Sequence, residues 1–181
     1  HTSIEAIVSC TEVVCQLNRH FPEFETRLRA RFPEIGLVAL ADTAQTFSLA
    51  HALQLAALGL QVSAGCPVTF GRTQQTVTPG EYQVVVEYTE EAVGRRAFAL
   101  AEALCRAAFD DTPFDLEAAL AELRELDEDE RLGPSTGAIV TAALARNIPY
   151  RRLTSGSLVQ FGWGSRQRRI QAAELDRTSA I

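Results

Sequence analysis

The sequence predicts an α+β fold, in which a mixed or antiparallel sheet packs with about four to five helices and a C-terminal β-hairpin follows. Three observations support this fold class: segments rich in β-branched residues, longer Leu/Ala-rich amphipathic segments, and two short apolar runs around glycines near the end. The strands and helices do not alternate regularly, which argues against a βαβ architecture. The 181 residues are 46% hydrophobic and 22% charged, values typical of a globular protein with a real core.

The first third of the chain predicts strands and then a helix. β-branched residues favour one or two strands over residues 4–15. Pro22 opens a helix of about three turns, because proline suits the first helical position, and Pro33 ends it. The apolar stripe of this helix is Phe24, Leu28 and Phe32. Residues 35–40 predict a short buried strand.

A Leu/Ala-rich helix is expected over residues 45–61, with Asp42 or Thr43 as its N-cap and with Gly65 and Pro67 ending it. Its core stripe is Leu49, Leu53, Ala56 and Leu60. A second face at helical spacing holds Phe47, His51, Gln54, Leu58 and Gln61.

A strand–turn–strand and another helix follow. The strands cover residues 68–72 and 82–88, and the apolar run Val84–Val86 indicates a central position in the sheet. The helix covers residues 90–109, and its inward stripe is Val93, Ala97, Leu100 and Leu104. Two i,i+4 ion pairs are expected on it, Glu91–Arg95 and Glu102–Arg106.

Two further helices precede the hairpin. Asp115 caps the first, whose buried stripe is Leu116, Leu120 and Leu123. The acidic run 127–130 indicates its solvated end. Ser135 or Thr136 caps the second, which runs through Arg146 before Pro149. The hairpin strands are residues 157–161 and 169–173, around a turn on Gly162, Gly164 and Ser165.

Charge separates the chain into two modules. Residues 1–148 hold 11 arginines against 21 acidic residues, a net charge of −10, whereas residues 149–181 hold 6 arginines against 2 acidic residues, a net charge of +4. The acidic module would repel phosphate, so nucleic acid is not an expected partner. All 17 basic residues are arginine, which excludes a lysine Schiff base or lysine phosphate clamp within these residues.

The remaining composition points to a cytoplasmic protein. No apolar run approaches the roughly 18–20 residues of a membrane helix, and no signal-peptide pattern is present. The first residue is not methionine, so we expect a fragment of a longer chain. The four cysteines have neither Cys-x-x-Cys nor zinc spacing, which predicts buried, reduced thiols.

Several motifs identify a family. The stretches are CPVTFGRTQQTVTPGEYQVVVEY, GPSTGAIVTAALARNIP, LVQFGWGSRQRRIQA and DRTSAI. They occur in order from about residue 49 to residue 181 and closely resemble the cyanophycin synthetase family. The resemblance implies a bacterial ligase that joins aspartates in an ATP-grasp domain and attaches arginine in a Mur-ligase-like domain, using ATP and magnesium.

The resemblance also implies a division of the chain. Residues 1–148 would be an N-terminal, polymer-holding domain and residues 149–181 the beginning of the ATP-grasp region. The expected partners are the Asp/Arg polymer and the rest of the ligase, within a homotetramer. No ATP site, cofactor or catalytic residue is expected in these 181 residues, since they contain no glycine-rich nucleotide loop and no lysine.

Some relatives carry a hydrolytic metal motif, His-x-x-Glu-His with a further Glu, on the helix equivalent to residues 45–61. This chain has His51, Gln54, Leu55 and Gly59 at those positions. One imidazole does not make a zinc site, and glutamine is no base, so we expect His51 to be a vestige and no metal to bind. A polymer hydrolase and a purely architectural domain remain the alternative functions.

Four arginines are the candidate polymer-binding residues. Arg72, in the family-matched FGRT turn, either contacts polymer carboxylates or pins its loop. Arg166, Arg168 and Arg169 lie on or beside the hairpin turn, and a planar guanidinium suits bidentate capture of a carboxylate. The other interpretation of these three is a clamp onto the ATP-grasp body, which we favour because hairpin strands normally pack against their own domain.

Overall fold

The computed structural model describes residues 2–35, 47–154, 156–171 and 174–175. The chain folds into two compact units, His1–Glu128 and Asp129–Ile181. Where an ATP-grasp region begins, at residue 149 in the sequence-based prediction, stays a prediction.

The first unit contains a three-stranded antiparallel sheet. Its strands are β1 (Ser3–Ser9), β2 (Gly71–Gln75) and β3 (Glu81–Glu87), in the order β1-β3-β2. β3 alternates buried and half-buried residues, and its buried residues are Tyr82, Val84 and Val86. The central position predicted for this strand is therefore confirmed.

The helices of this unit share one hydrophobic core with the buried face of the sheet. The longer ones are α3 (Phe24–Arg31), α4 (Leu49–Ala64), α5 (Glu91–Asp110) and α6 (Leu116–Glu130), after two single turns, α1 (Glu12–Cys15) and α2 (Leu17–His20). One continuous core joins helices and sheet, and its fully buried side chains include Leu28, Phe32, Leu60, Val84, Val93, Leu104 and Leu123. The predicted stripes of α3, α4, α5 and α6 contribute to this core, and the α+β class is confirmed.

Local sequence signals were reliable at two helix ends and along one helix. Gly65 ends α4 in the left-handed region, with φ 99°. The Asp115 carboxylate accepts a hydrogen bond from the Ala118 N–H at 2.9 Å, as an N-cap does. The two ion pairs expected on α5 form, at 2.6 Å for Glu91–Arg95 and 2.8 Å for Glu102–Arg106.

The predicted strand over residues 4–15 is wrong in its second half. Ser9 pairs with Glu81, the first residue of β3, and the Cys10 N–H donates to the Gly80 carbonyl at 2.7 Å. Beyond that point β3 offers no further partner, so the chain turns into α1 and α2. The strand propensity of residues 10–15 is overridden because the neighbouring strand has ended and provides no backbone to pair with.

Three other boundaries differ from the prediction. The strand expected from residue 68 begins only at Gly71. Helix α4 begins at Leu49 with Ser48 as its N-cap, while Asp42, Thr43 and most of the predicted strand 35–40 lie outside the described residues. The last helix takes Gly133 as N-cap and Pro134 as its first residue, rather than starting after Ser135 or Thr136.

The second unit is a small meander with one helix. Helix α7 (Pro134–Leu144) precedes the antiparallel strands β4 (Tyr150–Arg152), β5 (Val159–Phe161), β6 (Arg168–Gln171) and β7 (Glu174–Leu175). The predicted hairpin is confirmed: Val159 pairs with Ile170, and a 3₁₀ turn, Gly164–Arg166, joins the strands. Val140 of α7 packs with Val159 and Ile170 in a separate small core.

Among the described residues, no helix combines the length and apolar character required to cross a bilayer.

Candidate functional site

His51 lies at the third position of α4 and closes the start of that helix. Its Nδ1 accepts a hydrogen bond from the Ser48 N–H at 3.3 Å and lies 2.8 Å from the Ser48 hydroxyl oxygen. Ser48 in turn caps the backbone of His51, which completes a reciprocal capping box. Because Nδ1 is the acceptor, the neutral ring carries its proton on Nε2. Burial lowers the pKa of His51, which favours this neutral form.

The other positions of the hydrolytic motif are used for packing. Gln54 is buried, and its carboxamide covers Gly71 so closely that a Cβ there would stand 2.2 Å from Nε2. Leu55 packs against the core. A Cβ on Gly59 would stand 3.1 Å from Cε1 of the buried Phe32 ring. An amide, an alkyl group and a glycine under a phenyl ring do not fit a zinc ion.

Acidic and thiol groups elsewhere among the described residues do not replace the ligands that the resemblance implies. Within the described parts of the chain, no three His, Cys, Asp or Glu side chains lie close enough together to hold a metal ion.

The second candidate site is the side of the three-stranded sheet that faces away from the core, which we call the open sheet face. The alternation of buried residues on β3 fixes which side chains belong to it. They are Ser3, Glu5, Ile7 and Ser9 of β1, Glu81, Gln83, Val85 and Glu87 of β3, and Arg72 and Gln74 of β2. All ten are exposed or half-buried.

Arg72 lies on the open sheet face in register with Val85, which pairs on its other side with Glu5. Since Arg72 and Glu5 are two strands apart, their Cα atoms are separated by about 10 Å. The Glu5 carboxylate accepts a hydrogen bond from Gln83 Nε2 at 2.6 Å. Arg72 forms no ion pair or side-chain hydrogen bond with any described residue, so its guanidinium is available to a ligand.

Glu87 holds the segment that leads into β2. One of its carboxylate oxygens accepts hydrogen bonds from the Thr69 N–H at 2.8 Å and the Phe70 N–H at 2.9 Å. These two donors lower the pKa of Glu87. The carboxylate of β3 thereby fixes the chain just before Arg72.

The three arginines of the hairpin lie in the second unit. Arg166 ends the 3₁₀ turn, and Arg168 and Arg169 are neighbours on β6, all three being exposed. Successive strand residues point to opposite faces, so Arg168 lies on the side of Ile170 and Arg169 on the other side. The three therefore do not form one cationic patch, and Arg72 belongs to the other unit.

Sequence reasoning missed a polar group beside His51. Burial is the main cause that raises the pKa of Tyr82 on β3, and the neighbouring Cys15 and Ser48 side chains also affect it. The Tyr82 ring lies 5.8 Å from that of His51. These residues come from three parts of the chain, at positions 15, 48–51 and 82, so no spacing in the sequence predicts their meeting.

Comparison with known proteins agrees with the family that the motifs predict. A family model described as "Cyanophycin synthase-like N-terminal domain" matches residues 8–110. Proteins named cyanophycin synthetase are similar to this chain: that of Crocosphaera subtropica is 45% identical over 127 residues, covering 68% of this chain and 15% of that protein. Those of Trichormus variabilis and Synechocystis sp. are 42% and 43% identical over 136 residues, covering 74% of this chain and 15% and 16% of those proteins.

The match to more than half of the chain defines it as a domain of the cyanophycin synthase-like N-terminal class. The chain belongs to the cyanophycin synthetase family, as its motifs predicted, and spans about 15% of the length of these relatives.

Proposed function

We propose that this chain is the polymer-holding, N-terminal part of a cyanophycin-synthetase-type ligase that polymerises aspartate and attaches arginine. The family match over residues 8–110 and the names of the relatives support this parentage. ATP and magnesium are then cofactors of the parent enzyme, bound outside these residues. The partners are the polymer and the rest of the ligase in a homotetramer.

The main support for the proposal is the presence of two exposed, opposite charges, Arg72 and Glu5, on the open sheet face. A polymer of aspartate and arginine presents both carboxylates and guanidinium groups, so a surface that holds it needs charges of both signs. Arg72 is exposed and unengaged among the described residues, and Glu5 lies across Val85 from it. Each exposed charge contact is weak, so holding depends on many repeats acting together.

The arginines of the second unit have a separate proposed role. Arg168 and Arg169 point to opposite sides of β6, which suits packing on two sides better than a grip on one strand of polymer. We keep Arg166, Arg168 and Arg169 as contacts to the rest of the ligase, with polymer binding as the alternative.

Polymer hydrolysis is not part of the proposal. Gln54 is a neutral amide packed on Gly71, and Gly59 has no carboxylate and little room for one beside Phe32. A hydrolytic zinc site needs about three protein ligands and a base, and these positions supply neither.

The test is calorimetric titration of the 181-residue chain with β-aspartyl-arginine oligomers of increasing length. We expect the affinity to rise with oligomer length through avidity and to fall with added salt. Arg72→Gln should weaken binding several-fold, as loss of about 1 kcal/mol implies. The matched control is Arg95→Gln, which removes an arginine already paired with Glu91 on α5.

No binding at any oligomer length would overturn the proposal, as would equal losses in Arg72→Gln and Arg95→Gln. Unchanged binding in Arg72→Gln together with an altered oligomeric state would instead support the architectural alternative.

A further inference from the structure

Two cysteines line one cleft at the edge of the first unit. The cleft has a volume of about 360 Å³, and its walls include Cys10, Cys15, Gln75, Gly80 and Tyr82. Cys10 directly follows β1, and Cys15 is the last residue of α1. Neither residue is used in the polymer-holding proposal.

The fold brings these two thiols together. The Cys10 N–H donates to the Gly80 carbonyl at 2.7 Å, and the Cys15 N–H donates to the Thr11 carbonyl at 3.0 Å, so both backbones are held. The single turn α1 folds the chain back, placing Cys15 Sγ 3.5 Å from the Cys10 carbonyl oxygen. Both side chains line the cleft, and the Cys15 thiol is near enough to contribute to the raised pKa of Cys10.

The two thiols differ in their access to solvent. Cys10 is buried, with 9% of its surface exposed, and burial is the main cause that raises its pKa. Cys15 is half-buried and lines the cleft beside Tyr82. Cys15 is therefore the thiol that an oxidant in the cleft reaches first, and Cys10 is placed to react second.

The other two cysteines do not share this setting. Cys66 and Cys105 are both buried. Burial raises the pKa of Cys105 to about 12, which keeps it as an unreactive thiol.

We propose that Cys10 and Cys15 form a reversible oxidation site that closes to an intramolecular disulfide in the presence of hydrogen peroxide. The Cys15 sulfur attacks one peroxide oxygen, the O–O bond breaks, and one water leaves, giving a sulfenic acid. The Cys10 sulfur then attacks the Cys15 sulfur, the S–O bond breaks, and a second water leaves. Two thiols and one peroxide give one disulfide and two waters, and a dithiol reductant reverses the reaction.

The sequence makes this proposal easy to test. Because the chain has no lysine, trypsin cleaves only after arginine, and residues 1–19 form one peptide that contains both Cys10 and Cys15. Cys66 and Cys105 fall in the separate peptides 32–72 and 97–106. Purified chain is treated with hydrogen peroxide and then alkylated with iodoacetamide in denaturant. It is digested with trypsin, and the peptide masses are measured by mass spectrometry.

We expect peptide 1–19 to carry no alkyl group and to be lighter by about 2 Da than its reduced form, since two hydrogens are lost. Treatment with dithiothreitol should restore two alkylation sites. Peptides 32–72 and 97–106 should stay fully alkylated. Cys15→Ser should abolish the mass change, and the control Cys105→Ala should retain it.

Two results would overturn the proposal. One is a doubly alkylated peptide 1–19 after a peroxide exposure that fully oxidises glutathione in a parallel tube. The other is a disulfide that forms at the same rate in urea-unfolded chain, because the fold would then contribute nothing to the pairing.

Discussion

The carboxamide of Gln54 lies directly against Gly71, so that a Cβ on Gly71 would stand 2.2 Å from Nε2 and 2.9 Å from Cδ of Gln54. This contact joins α4 to the edge strand β2, one residue before Arg72. The position that the family resemblance assigns to a catalytic base therefore serves in this chain to seat the strand that carries the candidate polymer contact.

Gly71→Ala should destabilise the first unit. The added methyl group has to displace a buried side chain, and overpacking of this kind costs about 1–3 kcal/mol in the free energy of unfolding. Urea unfolding measures the loss. The companion variant is Gln54→Ala, which removes the obstructing amide, so the double variant should be less destabilised than the sum of the two single variants. Strictly additive losses in the free energy of unfolding would contradict the contact between Gln54 and Gly71.

Gly59→Glu should also lower stability, although it introduces the residue type that the family resemblance implies at this position of a hydrolytic motif. A Cβ at this position already stands 3.1 Å from the Phe32 ring, and a longer side chain has to push that ring aside. We expect a loss of about 2 kcal/mol, within the usual range for overpacking. Gly59→Ala is the control, because its gain in helix propensity of about 1 kcal/mol offsets the tighter contact. Equal stabilities of Gly59→Glu and the unsubstituted chain would refute this packing.

The pH dependence of stability should reflect His51. Its pKa in the folded chain is lowered by burial, so the unfolded chain binds the proton more readily. The stabilising contribution is complete above the unfolded pKa of about 6.5 and is lost as the pH falls below it towards the folded pKa. Thermal melts between neutral and mildly acidic pH measure this slope.

His51→Gln is the informative variant for this slope. Glutamine is a normal third residue of a capping box, so the cap at Ser48 is retained while the titrating group is removed. Stability near neutral pH should change little. The slope of stability against pH in mildly acidic solution should become flatter. His20→Gln, on the exposed end of α2, is the control for replacing a histidine by glutamine away from this capping box. A slope that survives in His51→Gln would show that another group causes it.

Glu87→Gln should reduce the stability of the chain at neutral pH. It should also make the stability fall less steeply as the pH is lowered. The pKa of Glu87 is lowered by the N–H groups of Thr69 and Phe70. Its contribution is therefore present above the unfolded pKa of about 4.3 and is lost as the pH falls through the folded value. Acid unfolding followed by circular dichroism tests this, with the exposed Glu102→Gln as control. Identical acid transitions in Glu87→Gln and the unsubstituted chain would contradict it.

Secondary structure was predicted best from the sequence where it depends on a local, periodic pattern of apolar residues. The stripe of α5, for example Val93 and Leu104, depends only on spacing within one helix, and it is buried as expected. Residues 10–15 were misjudged because their conformation depends on where β3 begins, at Glu81, which their own propensity does not encode. Long-range pairing decided the outcome there.

The candidate sites follow the same rule. The replacement of the metal motif was visible in the sequence, since it depends on residue types on one helix. The placement of Arg72 and Glu5 on either side of Val85 was not, because it requires the order and register of three strands. Arg168 and Arg169 are adjacent in sequence, yet strand geometry separates their side chains.

The most direct test of the account is to map, by amide chemical shifts, where a β-aspartyl-arginine oligomer contacts the 181-residue chain. We predict that the largest changes occur on β1, β2 and β3, centred on Arg72 and Glu5, and that Arg72→Gln needs a several-fold higher oligomer concentration to produce them. Changes confined to the residues around His51, or no changes at saturating oligomer, would contradict the claim that the open sheet face holds the polymer.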